Sequence, residues 1–106
     1  MSEENKCISL KYHEHNPVEI DEILTPDFVG HGNGTENTWD RESHRRGWTE
    51  YYGKVVDTVR EQIAGGDWVA TRFTRSGTYQ GKPMLGEFMQ LKRFEGGRIA
   101  EIWEVC

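Results

Sequence analysis

His13-Glu14-His15 is the segment whose residue types first suggest chemistry, because two imidazoles and a carboxylate are donors that a zinc ion takes. The spacing argues against it. Residues two apart on a helix face different directions, and the chain has neither a cysteine cluster nor a His-Glu-x-x-His pattern. The segment reads as surface residues at a helix end, with no metal and no other cofactor expected. His31 could shuttle a proton or hold a polar ligand group. The competing reading is a histidine hydrogen-bonded to the glycine-bearing loop after it. Arg72 interrupts an apolar stretch. It either anchors an anionic ligand group or pairs with an acid such as Glu104 or Asp57, and a structural pair is favoured. Trp39, Trp48, Tyr51 and Tyr52 lie close together in sequence. Trp48 and Tyr52 are four apart and share a helix face. Such rings are core side chains first and flat walls for a ring-bearing ligand second. Tyr12 could turn its hydroxyl into the same space, or serve as core or rim.

Two dissimilar halves of the chain must position these side chains. The first is helical. A helix is expected over about Ser2–His15, capped by Ser2, with Glu3 and Glu4 at the positive end of its dipole and Ile8 and Tyr12 on one face. Pro17 opens a short second helix through Leu24, and Thr25-Pro26 stops it. A short strand is expected over Asp27–His31, then a polar loop from Gly30 to Thr38. Asp40 caps a third helix, Arg41–Tyr52, which Gly53 ends.

The second half is strand-rich. Runs at Lys54–Ala64, Trp68–Tyr79, Met84–Phe94 and Ile99–Val105 are joined by Gly65-Gly66-Asp67, Gln80-Gly81-Lys82-Pro83 and Glu95-Gly96-Gly97-Arg98. Four such runs with short glycine turns make an antiparallel meander. Helices followed by strands predict an α+β fold, and 106 residues make one domain, 1–106, with no room for a second core.

Composition narrows the function. The formal net charge is −5, from 18 acidic and 13 basic residues, which argues against a general nucleic-acid binder. The local exception, Arg41, Arg45 and Arg46, reads as a solvated helix face. No run approaches the roughly 20 apolar residues of a membrane span, and the N-terminus lacks an apolar signal region. A cytoplasmic protein is therefore expected, with Cys7 and Cys106 as free thiols. The Asn33-Gly34-Thr35 acceptor pattern then carries no meaning. Four Trp, four Tyr and four Phe supply core area and pocket walls. A domain this small has modest stability, and a homodimer burying one sheet face is expected.

Three segments resemble a known family. Pro26-Asp27-Phe28-Val29-Gly30-His31-Gly32 is similar to the segment after the paired N-terminal helices of SnoaL-like polyketide cyclases, of the nuclear-transport-factor-2-like superfamily. Gly65-Gly66-Asp67-Trp68-Val69-Ala70-Thr71-Arg72 with Ser76-Gly77-Thr78-Tyr79-Gln80-Gly81 resembles the family's hairpin and following turn. Arg93-Phe94-Glu95-Gly96-Gly97-Arg98-Ile99-Ala100-Glu101-Ile102-Trp103-Glu104-Val105 looks like its ending. The resemblance spans nearly the whole chain. It implies a cone-shaped roll, in which a curved antiparallel sheet of about four long strands packs on three N-terminal helices around a hydrophobic pocket.

The resemblance also assigns roles. An acid on the last strand serves the polyketide cyclases as general acid/base, and its position here is Glu104. A histidine partner on the preceding strand falls at Gln90, which keeps a donor but cannot titrate. His31 falls at the cavity mouth, where a proton-shuttling role is implied. Tyr12, Trp39, Trp48, Tyr52, Arg72 and Phe88 are the candidates for contact with a small hydrophobic molecule. Closing a polyketide ring moves a proton from an acidic carbon and supplies one to a carbonyl oxygen. A carboxyl group in an apolar cavity can do both. Three readings follow: a cyclase- or isomerase-type acid/base enzyme, a ligand-binding module without chemistry, and a dimerisation module using the outer face at Trp103.

Overall fold

The computed structural model describes residues 2–32 and 37–105. The Asn33-Gly34-Thr35 pattern, Cys106 and the expected Ser2 side-chain cap lie outside what it describes. The elements are helix α1 (Ser2–Tyr12), a 3-10 turn at Pro17–Glu19, the one-turn helix α2 (Ile20–Ile23), strands β1 (Leu24–His31) and β2 (Thr38–Asp40), helix α3 (Arg41–Tyr51), and strands β3 (Val55–Gly65), β4 (Trp68–Tyr79), β5 (Lys82–Glu95) and β6 (Arg98–Val105).

The expected meander forms: β3, β4, β5 and β6 pair antiparallel in order. Its turns are tight. Gln80-Gly81 and Gly96-Gly97 each connect strands with both residues at positive φ, the backbone that matches strand twist in a two-residue hairpin. Because Gln80-Gly81 suffices as a turn, β5 begins at Lys82, two residues earlier than the Pro83-based expectation. The sheet then extends beyond the meander. β1 runs parallel to β6 and β2 pairs antiparallel with β1, giving six strands in the order β2-β1-β6-β5-β4-β3. The sheet is curved, and register breaks between Val59 and Glu61 and between Arg93 and Phe94 locally bend it.

Asp40 caps α3 as expected, its carboxylate accepting from the Ser43 amide at 2.9 Å. The helix α1 stops at Tyr12 rather than His15. The amides of His13, Glu14 and His15 bond back three residues, and His15 takes φ 56°. That turn swings His13 and His15 onto the same side of the chain, which a continuous helix would forbid.

The apolar core, with Ile20, Ile23, Leu24, Phe28, Trp48, Val69, Phe94, Ile99 and Ile102, fills one end of the concave face under α2 and α3. The other end is different in kind. There α1 and the turn that ends it bury Asn5, Ser9 and His13, three polar residues at four-residue spacing. The sheet meets them in kind, with Gln62 and Thr71 against Ser9 and Lys92 against His13. The cone is thus apolar at one end and hydrogen-bonded at the other.

Candidate functional site

Between these two ends a cavity of about 260 Å³ opens between α3 and the sheet. Side chains alternate along a strand, so Glu104 points to the concave side with Ile102, and Gln90 does so from β5. The two are register partners across β5 and β6, and Gln90 Nε2 donates to Glu104 Oε1 at 2.7 Å. Gln90 is buried at 3 % exposure and its Oε1 has no hydrogen-bond partner. Glu104 is half-buried and borders the cavity with Tyr12, His15, Trp39, His44, Trp48, Tyr51 and Arg75.

His44, Trp48 and Tyr51 project from one face of α3 at spacings of four and three. His44 lies against Trp39, Phe28 and Tyr12. The Trp39 indole donates to His44 Nε2 at 3.2 Å, and the Tyr12 hydroxyl meets the same nitrogen at 2.7 Å. An indole N–H can only donate, so Nε2 accepts and the imidazole carries its proton on Nδ1. Burial, and then the neighbouring His15 and Arg75, lowers the His44 pKa to about 3, so the ring is neutral at physiological pH. Burial, and then the Glu104 carboxylate, pushes the Tyr12 hydroxyl above its usual range, so it keeps its proton. Trp39 is seated by β1. It pairs with Gly30, and a Cβ at Gly30 would collide with the indole nitrogen.

Behind the cavity lies a buried polar cluster centred on Asp57 of β3, whose carboxylate is fully enclosed. Arg75 Nε and Nη2 donate to its two oxygens at 2.7 and 3.0 Å. His13 Nδ1 and His15 Nε2 approach Oδ2 at 2.8 and 3.1 Å. Burial alone would raise the Asp57 pKa, but the hydrogen bonds from His13, His15 and Arg75 prevail and hold the carboxyl well below the usual range. Burial would likewise lower the Arg75 pKa, and Asp57 outweighs it and keeps the guanidinium charged. Lys92, with no exposed surface, donates to Thr71 Oγ1 at 2.8 Å and meets His13 Nε2 at 3.0 Å. Its burial lowers its pKa to about 7. His13, buried beside Lys92, is lowered to about 3.

The expected site residues divide. Glu104, Gln90, Tyr12, Trp39 and Trp48 come together around or directly behind the cavity. The other four do not. His31 stands on the convex face, where it is the register partner of Trp103, stacks on its ring and bonds Glu101 at 2.6 Å. Arg72 is on the convex face too, paired with Glu61 and Glu87 rather than with Glu104 or Asp57. Tyr52 follows the last turn of α3 in extended backbone and is 53 % exposed, so Tyr51 takes the wall position. Phe88 stacks on Phe73 and borders a separate depression with Arg72, Glu87, Met89 and Val105. That depression holds one ion pair and no converging polar groups. His13 and His15 are corrected from surface residues to buried ligands of Asp57. Among the described residues no three of His, Cys, Asp and Glu are grouped as a metal would need.

Arg75, His44 and Lys92 were not singled out from the sequence, and Asp57 was weighed there only as a partner for Arg72. Strand parity carried the signal for Arg75, which shares a face with Val69, Thr71 and Phe73, the side opposite Arg72. Helix spacing carried the signal for His44, four before Trp48.

Comparison with known proteins agrees with this architecture. A SnoaL-like domain model matches residues 11–102. IdmH of Streptomyces antibioticus, a candidate polyketide cyclase, superposes with a TM-score of 0.69 at 24 % identity, over 91 % of this chain and 84 % of its own. A candidate SnoaL-like polyketide cyclase from Jannaschia sp. CCS1 gives 0.77 at 14 % identity, over 97 % and 85 %. AclR from Streptomyces galilaeus, a candidate hydroxylase, gives 0.76 at 21 % identity, over 99 % and 76 %. No curated protein is a significant match. No helix of the described residues is long and apolar enough to cross a membrane.

Proposed function

The chain belongs to the SnoaL-like domain family, and on that premise we propose that it is a cyclase- or isomerase-type acid/base enzyme, needing no cofactor, that acts on a small ring-bearing carbonyl compound. The observation that carries this reading is the Gln90–Glu104 hydrogen bond of 2.7 Å beside a cavity walled by Trp39, Trp48 and Tyr51. Glu104 takes a proton from the carbon next to a carbonyl. The resulting enolate carbon attacks a second carbonyl carbon, or is reprotonated elsewhere in an isomerisation. Glu104 then returns the proton to the new alkoxide or carbon, so atoms and charge balance. Gln90 holds the carboxylate in one direction, and the aromatic walls exclude water and orient the rings. A cavity of about 260 Å³ suits a compound of one to a few rings.

The test is proton exchange. In deuterium oxide the protein speeds deuterium uptake at the activated carbon of a cyclic 1,3-diketone, and Glu104→Gln abolishes the acceleration. A diketone that binds with no exchange above background favours the second reading, a ligand-binding module. Gln90 is the observation on that side, since an amide cannot relay a proton as a histidine does.

The homodimer reading rests on the convex face. Ile63, Ala70, Leu91 and Trp103 are successive register partners across β3 to β6, and Ile63 and Leu91 are exposed at 75 % and 40 %. Around this row stand Arg72 with Glu61 and Glu87, and Arg93 with Glu95 and Glu101. A rim of both signs is self-complementary about a two-fold axis, so a second copy of the chain is the partner proposed.

A further inference from the structure

His44 Nε2 has one lone pair and two donors, the Trp39 indole at 3.2 Å and the Tyr12 hydroxyl at 2.7 Å. One of them is redundant. The indole cannot leave, because Trp39 is laid across the backbone of Gly30 and Gly32 and its N–H has a fixed direction. The hydroxyl can leave, because rotation about its C–O bond redirects the proton without moving the ring. Tyr12 borders the cavity, and the charge of Glu104 is felt at its oxygen.

We propose that Trp39 and His44 are positioning residues that make Tyr12 the hydrogen-bond donor to a ligand oxygen, with the Trp39 N–H keeping His44 Nε2 satisfied when the Tyr12 hydroxyl turns into the cavity. A buried acceptor left unpaired is costly, and a second donor already in place removes that cost. The same arrangement selects the ligand. The oxygen must accept, and it gains most when it carries negative charge, as a carbonyl oxygen does on becoming an enolate. The class is therefore a ring compound with a carbonyl or acidic enol oxygen at one edge. This rests on the reading of the cavity as a site for carbonyl compounds, but not on proton transfer by Glu104.

The test uses the full chain and two probes of one shape, 2-naphthol and 2-methylnaphthalene, with binding measured by calorimetry or by displacement of a fluorescent ligand. Tyr12→Phe lowers affinity for 2-naphthol by about tenfold or more and leaves 2-methylnaphthalene within about twofold, the range of one lost hydrogen bond. Trp39→Phe keeps the ring and removes the N–H. It lowers 2-naphthol affinity by about threefold in the wild-type background and has no effect in the Tyr12→Phe background. Equal losses for the two probes in Tyr12→Phe overturn the proposal, as does a Trp39→Phe loss that persists without the hydroxyl. If Trp39→Phe does not fold, the two-probe comparison in Tyr12→Phe decides alone. In Glu104→Gln the 2-naphthol preference remains. Loss of catalysis without loss of that preference separates the two readings, and loss of the preference in Glu104→Gln overturns the assignment of the donor to Tyr12 alone.

Discussion

Gln90 and Glu104 face each other across neighbouring strands, and the amide of the first holds one oxygen of the second at 2.7 Å. The direction of the acid is therefore set from inside the sheet, by a residue 3 % exposed. Gln90→Leu keeps the bulk and removes the donor. The proposed exchange reaction should fall by about 10- to 100-fold, the value of a hydrogen bond to a charged group. Deuterium uptake by Gln90→Leu and wild type at equal occupancy checks it, and an unchanged rate would sink the positioning role.

Two glycines separate a packing requirement from a tolerated weakness. Gly30→Ala places a methyl group in the Trp39 indole and should cost about 1–3 kcal/mol. Gly47, inside α3, has nothing within 4 Å of an added Cβ. Gly47→Ala should stabilise by about 0.5–1 kcal/mol through helix propensity. Urea unfolding of both variants gives opposite signs if these packings are right.

Stability should depend on pH on both sides of neutrality. His13 and His44, lowered by burial to about 3 from an ordinary 6.5, refuse protons that the unfolded chain binds. Their contribution is present above pH 6.5 and is lost as the pH falls toward 3, at up to about 1.4 kcal/mol per unit for each group. Lys92, lowered by burial to about 7 from 10.5, works in the alkaline window. There the unfolded chain again holds the extra proton, so the Lys92 contribution grows from pH 7 to 10.5. Unfolding midpoints of wild type and Lys92→Met at pH 6, 7.5 and 9 test this: the gain on raising the pH should be larger in wild type. Equal slopes would mean that Lys92 titrates normally.

Leu91→Asp puts a charge at the centre of the convex apolar row while leaving the cavity untouched. Sedimentation should show a dimer for wild type and a monomer for the variant, each binding 2-naphthol alike. A wild-type monomer at tens of micromolar would remove the dimer reading.

Much of the fold was legible from periodicity and turn chemistry. The two-residue spacing of Val69, Thr71 and Phe73, the Asp40 cap and the glycine pairs at the hairpins are local signals, and the meander and α3 followed from them. Strand β2 was not legible, because Thr38-Trp39-Asp40 reads as polar loop until Gly30 offers its bare backbone to the indole. Nor was the burial of Lys92, His13 and Asp57. Each is a surface residue by type, and only the approach of α1, β3 and β5 makes them one another's solvent. His31 was misplaced for a related reason: its strand pairs parallel with β6, a long-range fact that alone decides which face it takes.

The polar contacts of α1 and the turn that ends it have a consequence for local opening. Ser9 and His13 gain little by burial until Gln62, Thr71, Lys92 and Asp57 are already assembled, because water satisfies them equally well beforehand. Apart from Tyr12 and Ile8, which reach the apolar core, α1 is held by polar contacts, and its amides should exchange hydrogen faster than those of β4 and β5. Tyr12 leaves with the helix when it opens. Occupancy of the cavity and retention of the N-terminal helix are then one equilibrium, and a bound ligand slows exchange along α1 in proportion to its saturation.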